Sequence, residues 1–180
     1  MYPRNHVEVS GEAWMTHLLA ISGSLRAASA NRALIEEAIR VAPAGVTIEI
    51  YDELGALPHF NPDVDESGAP EVVARFRDQL LHADGVLISS PEYAHGVPGV
   101  MKNALDWVVG TGELVGKRVA LLNASPRSTF AQAQLRETLK TMNWEVVDAA
   151  CIAIQMRGRV PDDADREALR RALEAMFRGS

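Results

Sequence analysis

The order of apolar and amphipathic segments in this 180-residue chain predicts an α/β fold built on a doubly wound parallel sheet. Strand-length apolar runs alternate with helical patterns along the chain. Val86–Ile88 and Val119–Leu122 are apolar at every position, which is typical of parallel strands covered by helices on both faces. Five such βα units predict three layers and five strands, with right-handed crossovers.

The first βα unit contains the most informative turn of the chain. A strand expected at His17–Ser22 stops at Gly23, and a helix is expected over Asn31–Val41. Hydroxyl residues and Arg26 lie between them, so backbone N–H groups, hydroxyls and a permanent positive charge meet at a helix N-terminus, where a phosphate is favoured. The turn has neither the dinucleotide pattern G-x-G-x-x-G nor the P-loop pattern. The phosphate therefore need not belong to a dinucleotide or a nucleoside triphosphate.

The next two units follow the same order. Strands are expected at Val46–Asp52 and Gly85–Ser90, and a helix at Pro70–Ala83 begins with proline in its first turn. That helix carries one apolar stripe at the helical period, formed by Val72, Val73, Phe76, Leu80 and Leu81. Leu54–Ala69 is the longest irregular segment, and its length makes it a candidate substrate-side loop.

The helix expected at Pro98–Val109 is apolar around much of its circumference because of Met101, Leu105, Trp107 and Val108. Two interpretations stay open: burial under the chain's own loops, or packing against the same helix of a second copy, which the family resemblance described below implies. The remaining expected elements are strands at Lys117–Ala124 and Glu145–Ile154 and helices at Phe130–Met142 and Asp162–Phe177. The charged residues of the last helix are interpreted as a solvated face.

Composition and charge argue against several classes of protein, among them nucleic-acid-binding and membrane-spanning proteins. The net charge of −6 disfavours a nucleic-acid partner, and no apolar run approaches the length of a membrane span. Residues 1–16 are interpreted as an N-terminal tail without the features of a secretory signal, and residues 17–180 as one domain, which predicts a cytoplasmic protein. Cys151 is the only cysteine, so no intrachain disulfide and no cysteine-cluster metal site is possible. The scattered histidines argue against a zinc site, and no metal is predicted.

Three loops with unusual chemistry leave the carboxyl ends of predicted strands. They are Gly23–Asn31, Pro91–Gly99 and Ala124–Thr129. Each alone is typical of a polar turn that caps a helix. Ligands of open parallel sheets bind at this edge, so the three loops together predict one ligand site.

Two motifs resemble the NADPH-dependent FMN reductase family, which includes quinone, chromate and azo-dye reductases. The first is Gly23-Ser-Leu-Arg-x-x-Ser-x-Asn31; the second joins Pro91-Glu-Tyr93 to Pro98-Gly-Val-Met-Lys-Asn-Ala-Leu-Asp-Trp107. The resemblance covers roughly Leu18 to Ile154. It implies a flavodoxin-like fold with strand order 2-1-3-4-5, noncovalent FMN, hydride supply from NADPH or NADH, and a homodimer or homotetramer.

By this resemblance, Ser24, Arg26, Ser29 and Asn31 hold the FMN phosphate. Pro91, Glu92 and Tyr93 lie along the isoalloxazine ring, and Ser125 borders the flavin from the third loop. Tyr93 and His95 are expected near the ring edge, although Tyr93 is equally typical of a partly buried loop anchor and His95 is more typical of a surface loop histidine than of an acid catalyst. The chain departs from the family at Ala94, where many members have Asn, and at Arg127-Ser128-Thr129, where many have a glycine pair. Arg127 is either a contact for a phosphate of NADPH or a solvated charge.

The flavin carries the chemistry of hydride transfer, so no catalytic side chain is assigned. The predicted function is an NAD(P)H-dependent flavoprotein reductase that passes electrons through FMN to a flavin, quinone or similar small acceptor. The alternative is a nonenzymatic, flavodoxin-like electron carrier or FMN-binding module. A strongly acidic docking surface would favour that carrier, and a charge of −6 is modest.

Overall fold

A computed structural model describes residues 15–177, and the predicted tail lies almost entirely outside them. The strands are β1 (Thr16–Ser22), β2 (Val46–Tyr51), β3 (Gly85–Ser89), β4 (Arg118–Asn123), β5 (Glu145–Val146) and β6 (Ile152–Ala153). The helices are α1 (Ala30–Arg40), α2 (Pro62–Glu66), α3 (Glu71–His82), α4 (Gly99–Asp106), α5 (Thr129–Thr141) and α6 (Asp163–Ala175). None of the helices in these residues is long and apolar enough to span a membrane.

All strand pairs of the described chain are parallel, and the sheet order is β2-β1-β3-β4-β5, which confirms the predicted topology. The chain moves to one side of β1 to form β2 and then crosses to its other side to form β3. The loops after β1 and β3 therefore diverge at the point where the strand order reverses. Ligands of doubly wound sheets bind in the crevice at this point.

The fifth predicted strand, Glu145–Ile154, is wrong as a continuous element. It consists of β5 and β6, which pair with opposite ends of β4, and a 3-10 turn at Asp148–Ala150 separates them. An edge strand pairs with a neighbour on one side only, so an interruption in it breaks backbone hydrogen bonds to a single strand. Cys151 Sγ accepts a hydrogen bond from Leu121 N at 3.4 Å, which satisfies an amide of β4 beside the gap.

Two apolar layers enclose the sheet, as the two-sided apolarity of the strands predicts. Leu19 and Ile21 face the layer that α3, α4 and α5 cover, whereas Leu18 and Ala20 face the layer that α1 and α6 cover. Alternate residues of one strand point to opposite faces. Burial of both faces therefore requires apolar residues at consecutive positions.

The apolar circumference of α4 is explained within the protomer. Met101, Leu105, Trp107 and Val108 are each at most 2% exposed. Of the two open interpretations, burial under the chain's own elements is confirmed. Their apolarity therefore gives no support to an interface between copies of the chain.

None of the residues of the segment Leu54–Ala69 lines the cleft described below, so its expected place beside a substrate finds no support there. It contains a 3-10 turn and α2, and α4 holds it in place. Asn103 Oδ1 accepts from Phe60 N at 2.8 Å, while Asn103 Nδ2 and Trp107 Nε1 both donate to Pro58 O at 2.9 and 2.7 Å. Side chains from α4 and its C-cap residue thus satisfy the irregular backbone, and α3 and β3 separate the two segments along the chain, so sequence order does not reveal this contact.

The charged face of α6 is not wholly solvated. Arg166 Nε donates to Glu37 Oε1 at 2.6 Å, and the Glu37 side chain is 5% exposed. The hydrogen bond from Arg166 is the main cause that holds the pKa of Glu37 below its ordinary value, with a smaller contribution from Arg40. This ion pair joins α1 to α6 on the outer side of the sheet.

Candidate functional site

A cleft of about 890 Å³ lies at the carboxyl ends of β1, β3, β4 and β6. All eight residues predicted to bind the cofactor line it: Ser24, Arg26, Ser29, Asn31, Pro91, Glu92, Tyr93 and Ser125. Its volume is within the range of about 300–1,000 Å³ that is usual for small-molecule and cofactor sites. The three loops singled out in the sequence therefore meet at one site.

Buried polarity is concentrated at this edge of the sheet. Apart from Glu37, every buried polar or charged side chain in residues 15–177 lies at a strand end or helix start beside the cleft: Ser22, Ser29, Asn31, Ser89, Ser90 and Asn123. Burying a polar group is unfavourable unless it is hydrogen-bonded. Apart from the Glu37 ion pair, buried polar side chains of the described residues therefore lie where the loops of the cleft begin and end.

Hydroxyl and amide side chains organise the start of α1. Ser29 is its N-cap, and its Oγ accepts from Arg32 N at 3.3 Å. Asn31 is buried, and its Oδ1 accepts from Ser89 Oγ at 3.1 Å, which joins the start of α1 to the end of β3. Ser24 Oγ accepts from Arg26 N at 3.4 Å within the first loop. These bonds fix the loop while the amides at the start of α1 remain directed out of the helix end.

The electrostatics of this helix end suit an anion. The first turn of α1 has no acidic residue, whereas α2 and α6 each begin with two aspartates that compensate their dipoles. Arg26 is exposed, lines the cleft, and forms no ion pair with a carboxylate of the described chain. The helix dipole and an unneutralised guanidinium therefore act together on the same side of the cleft.

Gly23 is required by the close approach of the first two loops. Its N–H donates to Ser89 O at 2.8 Å, and an added Cβ would stand 2.5 Å from Ser90 Oγ and 3.2 Å from Ser90 Cα. A side chain at this position would push the ends of β1 and β3 apart. The glycine that ends the first apolar run is thus explained by tertiary contact, because its φ is not in the left-handed region.

We expect Gly23→Ala to lower the free energy of unfolding by about 1–3 kcal/mol, as overpacking of a tight contact does. We also expect weaker binding of the FMN that the family resemblance implies, because the first loop must shift. Adding Ser90→Gly removes the two nearest atoms and should restore part of both losses. Gly112→Ala is the control, since a Cβ there meets no atom within 4 Å. Urea unfolding and flavin titration of the four proteins measure both effects, and equal behaviour of the two alanine variants would contradict the contact.

The second loop contains a tight hairpin turn with two non-glycine residues of positive φ. Tyr93 and Gly96 exchange backbone hydrogen bonds at 3.1 and 2.9 Å, and Ala94 and His95 between them have φ of 49° and 60°. Asn and Gly are the usual residues for such a turn. The His95 ring stacks on Phe130 at 4.3 Å between centroids and 6° between planes. His95 does not line the cleft, so its expected place at the flavin edge is not supported.

Glu92 and Gln134 fasten this loop to α5. Glu92 Oε2 accepts from Ala131 N at 2.9 Å, so this carboxylate caps α5, whose own N-cap residue makes no side-chain bond. Gln134 Oε1 accepts from Val97 N at 2.9 Å. Tyr93 is 59% exposed, which excludes a role as a partly buried anchor. The loop therefore presents the Tyr93 ring at the cleft from a fixed backbone.

The cleft also has residues that the sequence reasoning missed, notably Gln155, Met156 and Arg157 after β6, and Glu36 on α1. Met156 N donates to Ala124 O at 3.1 Å, which joins this fourth loop to the third. Ligands of open parallel sheets bind at the carboxyl ends of the strands, and applying this rule to the last strand would have predicted the fourth loop. Because the predicted strand Glu145–Ile154 is interrupted between β5 and β6, the sequence does not show that β6 ends at Ala153.

Comparisons with known proteins agree with this architecture. The NADPH-dependent FMN reductase family matches residues 16–158. An NAD(P)H-dependent FMN reductase of Pseudomonas aeruginosa is 38% identical over 171 residues, which cover 88% of this chain and 92% of that protein. A 2-hydroxy-1,4-benzoquinone reductase of a Burkholderia species is 38% identical over 125 residues, 66% of this chain and 67% of that protein.

The fold has close structural relatives as well. The flavoenzyme FerB of Paracoccus denitrificans, an NAD(P)H:(acceptor) oxidoreductase, superposes with a TM-score of 0.76 at 28% identity, covering 90% of this chain and 95% of its own. The family match spans most of the chain, including the first three loops of the cleft. The chain is thus an NAD(P)H-dependent oxidoreductase that uses FMN, and it belongs to the NADPH-dependent FMN reductase family.

Proposed function

We propose that this chain holds FMN noncovalently in the cleft and reduces small quinone-type acceptors with electrons from NAD(P)H. The observation that carries the proposal is the convergence of all eight predicted residues on one cleft, with the unpaired Arg26 beside the start of α1. Bound FMN supplies hydride acceptance from the nicotinamide and electron delivery to the acceptor. The similarity to a benzoquinone reductase supports an acceptor of this class.

The residues of the cleft fit FMN in type and position. Ser24, Arg26, Ser29 and the amide of Asn31 provide hydroxyl, guanidinium and N–H donors for a phosphate at the start of α1. Pro91 and Tyr93 of the second loop and Ser125 of the third line the same cleft, and in this assignment they border the isoalloxazine ring. In this assignment Glu92 acts indirectly, because its carboxylate caps α5 and holds the loop.

We further propose that the enzyme acts in the cytoplasm as a homodimer or homotetramer. Exposed apolar side chains on the first two loops and in the first turn of α5 support a covering partner or substrate: Leu25 is 61% exposed, Tyr93 59% and Phe130 53%. A second copy seated there would wall the flavin site. Sedimentation at micromolar concentration measures the assembly, and a monomer would overturn this part of the proposal.

Flavin titration and steady-state turnover test the proposed function together. We expect one FMN per chain, with FMN preferred over FAD and riboflavin bound much more weakly. NADPH oxidation should be sustained by added quinone or free FMN. An electron carrier would bind FMN and barely turn over alone, and equal affinity for riboflavin would overturn the phosphate assignment.

A further inference from the structure

The arginines of residues 15–177 fall into two groups, according to whether or not they form an ion pair with a carboxylate. Ten form an ion pair with a carboxylate: Arg32, Arg40, Arg75, Arg77, Arg118, Arg136, Arg159, Arg166, Arg170 and Arg171. Three have no carboxylate partner within residues 15–177, namely Arg26, Arg127 and Arg157, and all three line the cleft. In a chain with 24 acidic and 18 basic side chains, unpaired arginines would not be expected to gather at one place.

The cleft's own carboxylates are already engaged elsewhere. Glu36 pairs with Arg32, and Glu92 accepts the α5 amide of Ala131. Neither neutralises Arg127 or Arg157, both of which are exposed at the rim. Their positive charge is therefore available to a ligand.

Arg127 and Arg157 line the cleft from loops that follow two paired strands, whereas Arg26 follows a strand that is not their neighbour. Arg127 is in the loop after β4 and Arg157 follows β6; these strands pair, and Ile154 N donates to Asn123 O at 2.9 Å where they end. Arg26 follows β1, and β3 lies between β1 and β4 in the sheet. With neighbouring strands about 4.8 Å apart, the ends of β1 and β4 are about 10 Å apart. One phosphate at the start of α1 therefore does not account for the pair on the other side.

We propose that Arg127 and Arg157 form a second anion site, which binds a phosphate of the nicotinamide donor. The proposal rests on the proposed function, in which Arg26 holds the FMN phosphate. NADH and NADPH both bring a pyrophosphate, and NADPH alone brings a 2′-phosphate with a charge of about −1.5 to −2. Guanidinium groups bind phosphate oxygens two at a time, and two of them can share one such dianion.

The test uses Arg127→Gln, Arg157→Gln and the double variant of the full chain. NADP⁺ and NAD⁺ binding to the FMN-bound proteins is measured by calorimetry, and KM is measured for NADPH and NADH. Each single substitution should weaken donor binding about 10-fold, the size expected for a hydrogen bond between charged groups. Arg171→Gln is the matched control, because it removes one exposed arginine that pairs with Glu167 far from the cleft.

Each outcome decides the proposal. A loss confined to NADP⁺ and NADPH assigns the pair to the 2′-phosphate, and an equal loss for all four nucleotides assigns it to the pyrophosphate. Unchanged donor binding overturns the second site. FMN affinity is measured separately in every variant: if it falls as far as donor binding does, the two arginines belong to the flavin site and the proposal is wrong. A wild-type protein that binds no FMN would instead overturn the proposed function.

Discussion

Replacing Arg26 with alanine is expected to weaken FMN binding by about 10- to 100-fold. A hydrogen bond to a charged group contributes about 1.5–3 kcal/mol, and each 1.4 kcal/mol is about tenfold in affinity. Arg26 has no carboxylate partner in the described chain and lies beside the start of α1. Its removal therefore takes a positive charge away from the phosphate site and leaves no carboxylate without its ion-pair partner. Fluorescence titration with FMN measures the loss.

Riboflavin and two matched variants separate this effect from damage to the fold. Riboflavin lacks the phosphate and should bind mutant and wild type alike, and quinone reduction at saturating FMN should be largely retained. Arg26→Lys keeps the charge without the two-pronged geometry and should show a smaller loss. Arg32→Ala should also show a smaller loss, because Arg32 lines the same cleft but pairs with Glu36 and Asp52. Unchanged FMN affinity in Arg26→Ala would show that the side chain is a solvated turn residue.

Replacing Trp107 with alanine is expected to lower the free energy of unfolding by about 3–5 kcal/mol, the usual cost of truncating a buried aromatic side chain. Trp107 is fully buried, and its ring meets Phe60 edge-on at 5.1 Å between centroids. Since a domain is stable by about 5–15 kcal/mol in total, this is a large share. For a chain of this size the midpoint of thermal unfolding should fall by roughly 10 °C.

Trp107→Phe distinguishes packing from hydrogen bonding at this position. It keeps an aromatic ring and removes the Nε1 donor to Pro58 O, which still accepts from Asn103 Nδ2. We therefore expect a loss of only about 1 kcal/mol from the hydrogen bond. Urea unfolding of the FMN-free proteins avoids stabilisation by the ligand. A cost below 1 kcal/mol for Trp107→Ala would contradict the packing described for α4 and the segment over it.

Several residues of the family-like motifs form structural hydrogen bonds that hold other parts of the chain in place. Asn103 and Trp107 belong to a motif that resembles a family of flavin reductases, yet here they hold the backbone of residues 58–60. Glu92 is part of another such motif and caps α5. A short motif identifies a site, whereas the partner of each side chain depends on which elements the fold brings beside it.

The sequence by itself determined the order of the βα units, the two-sided burial of the strands and the three loops with hydroxyl, arginine and proline residues. These features are local, since periodicity, helix starts and the carboxyl-end rule for parallel sheets can be read along the chain. Tertiary structure alone decided that Gly23 must clear Ser90, that α4 is buried within the protomer, and that Arg157 joins Arg127 at the cleft. The physical reason is that these contacts join residues distant in sequence, which the strand order places side by side.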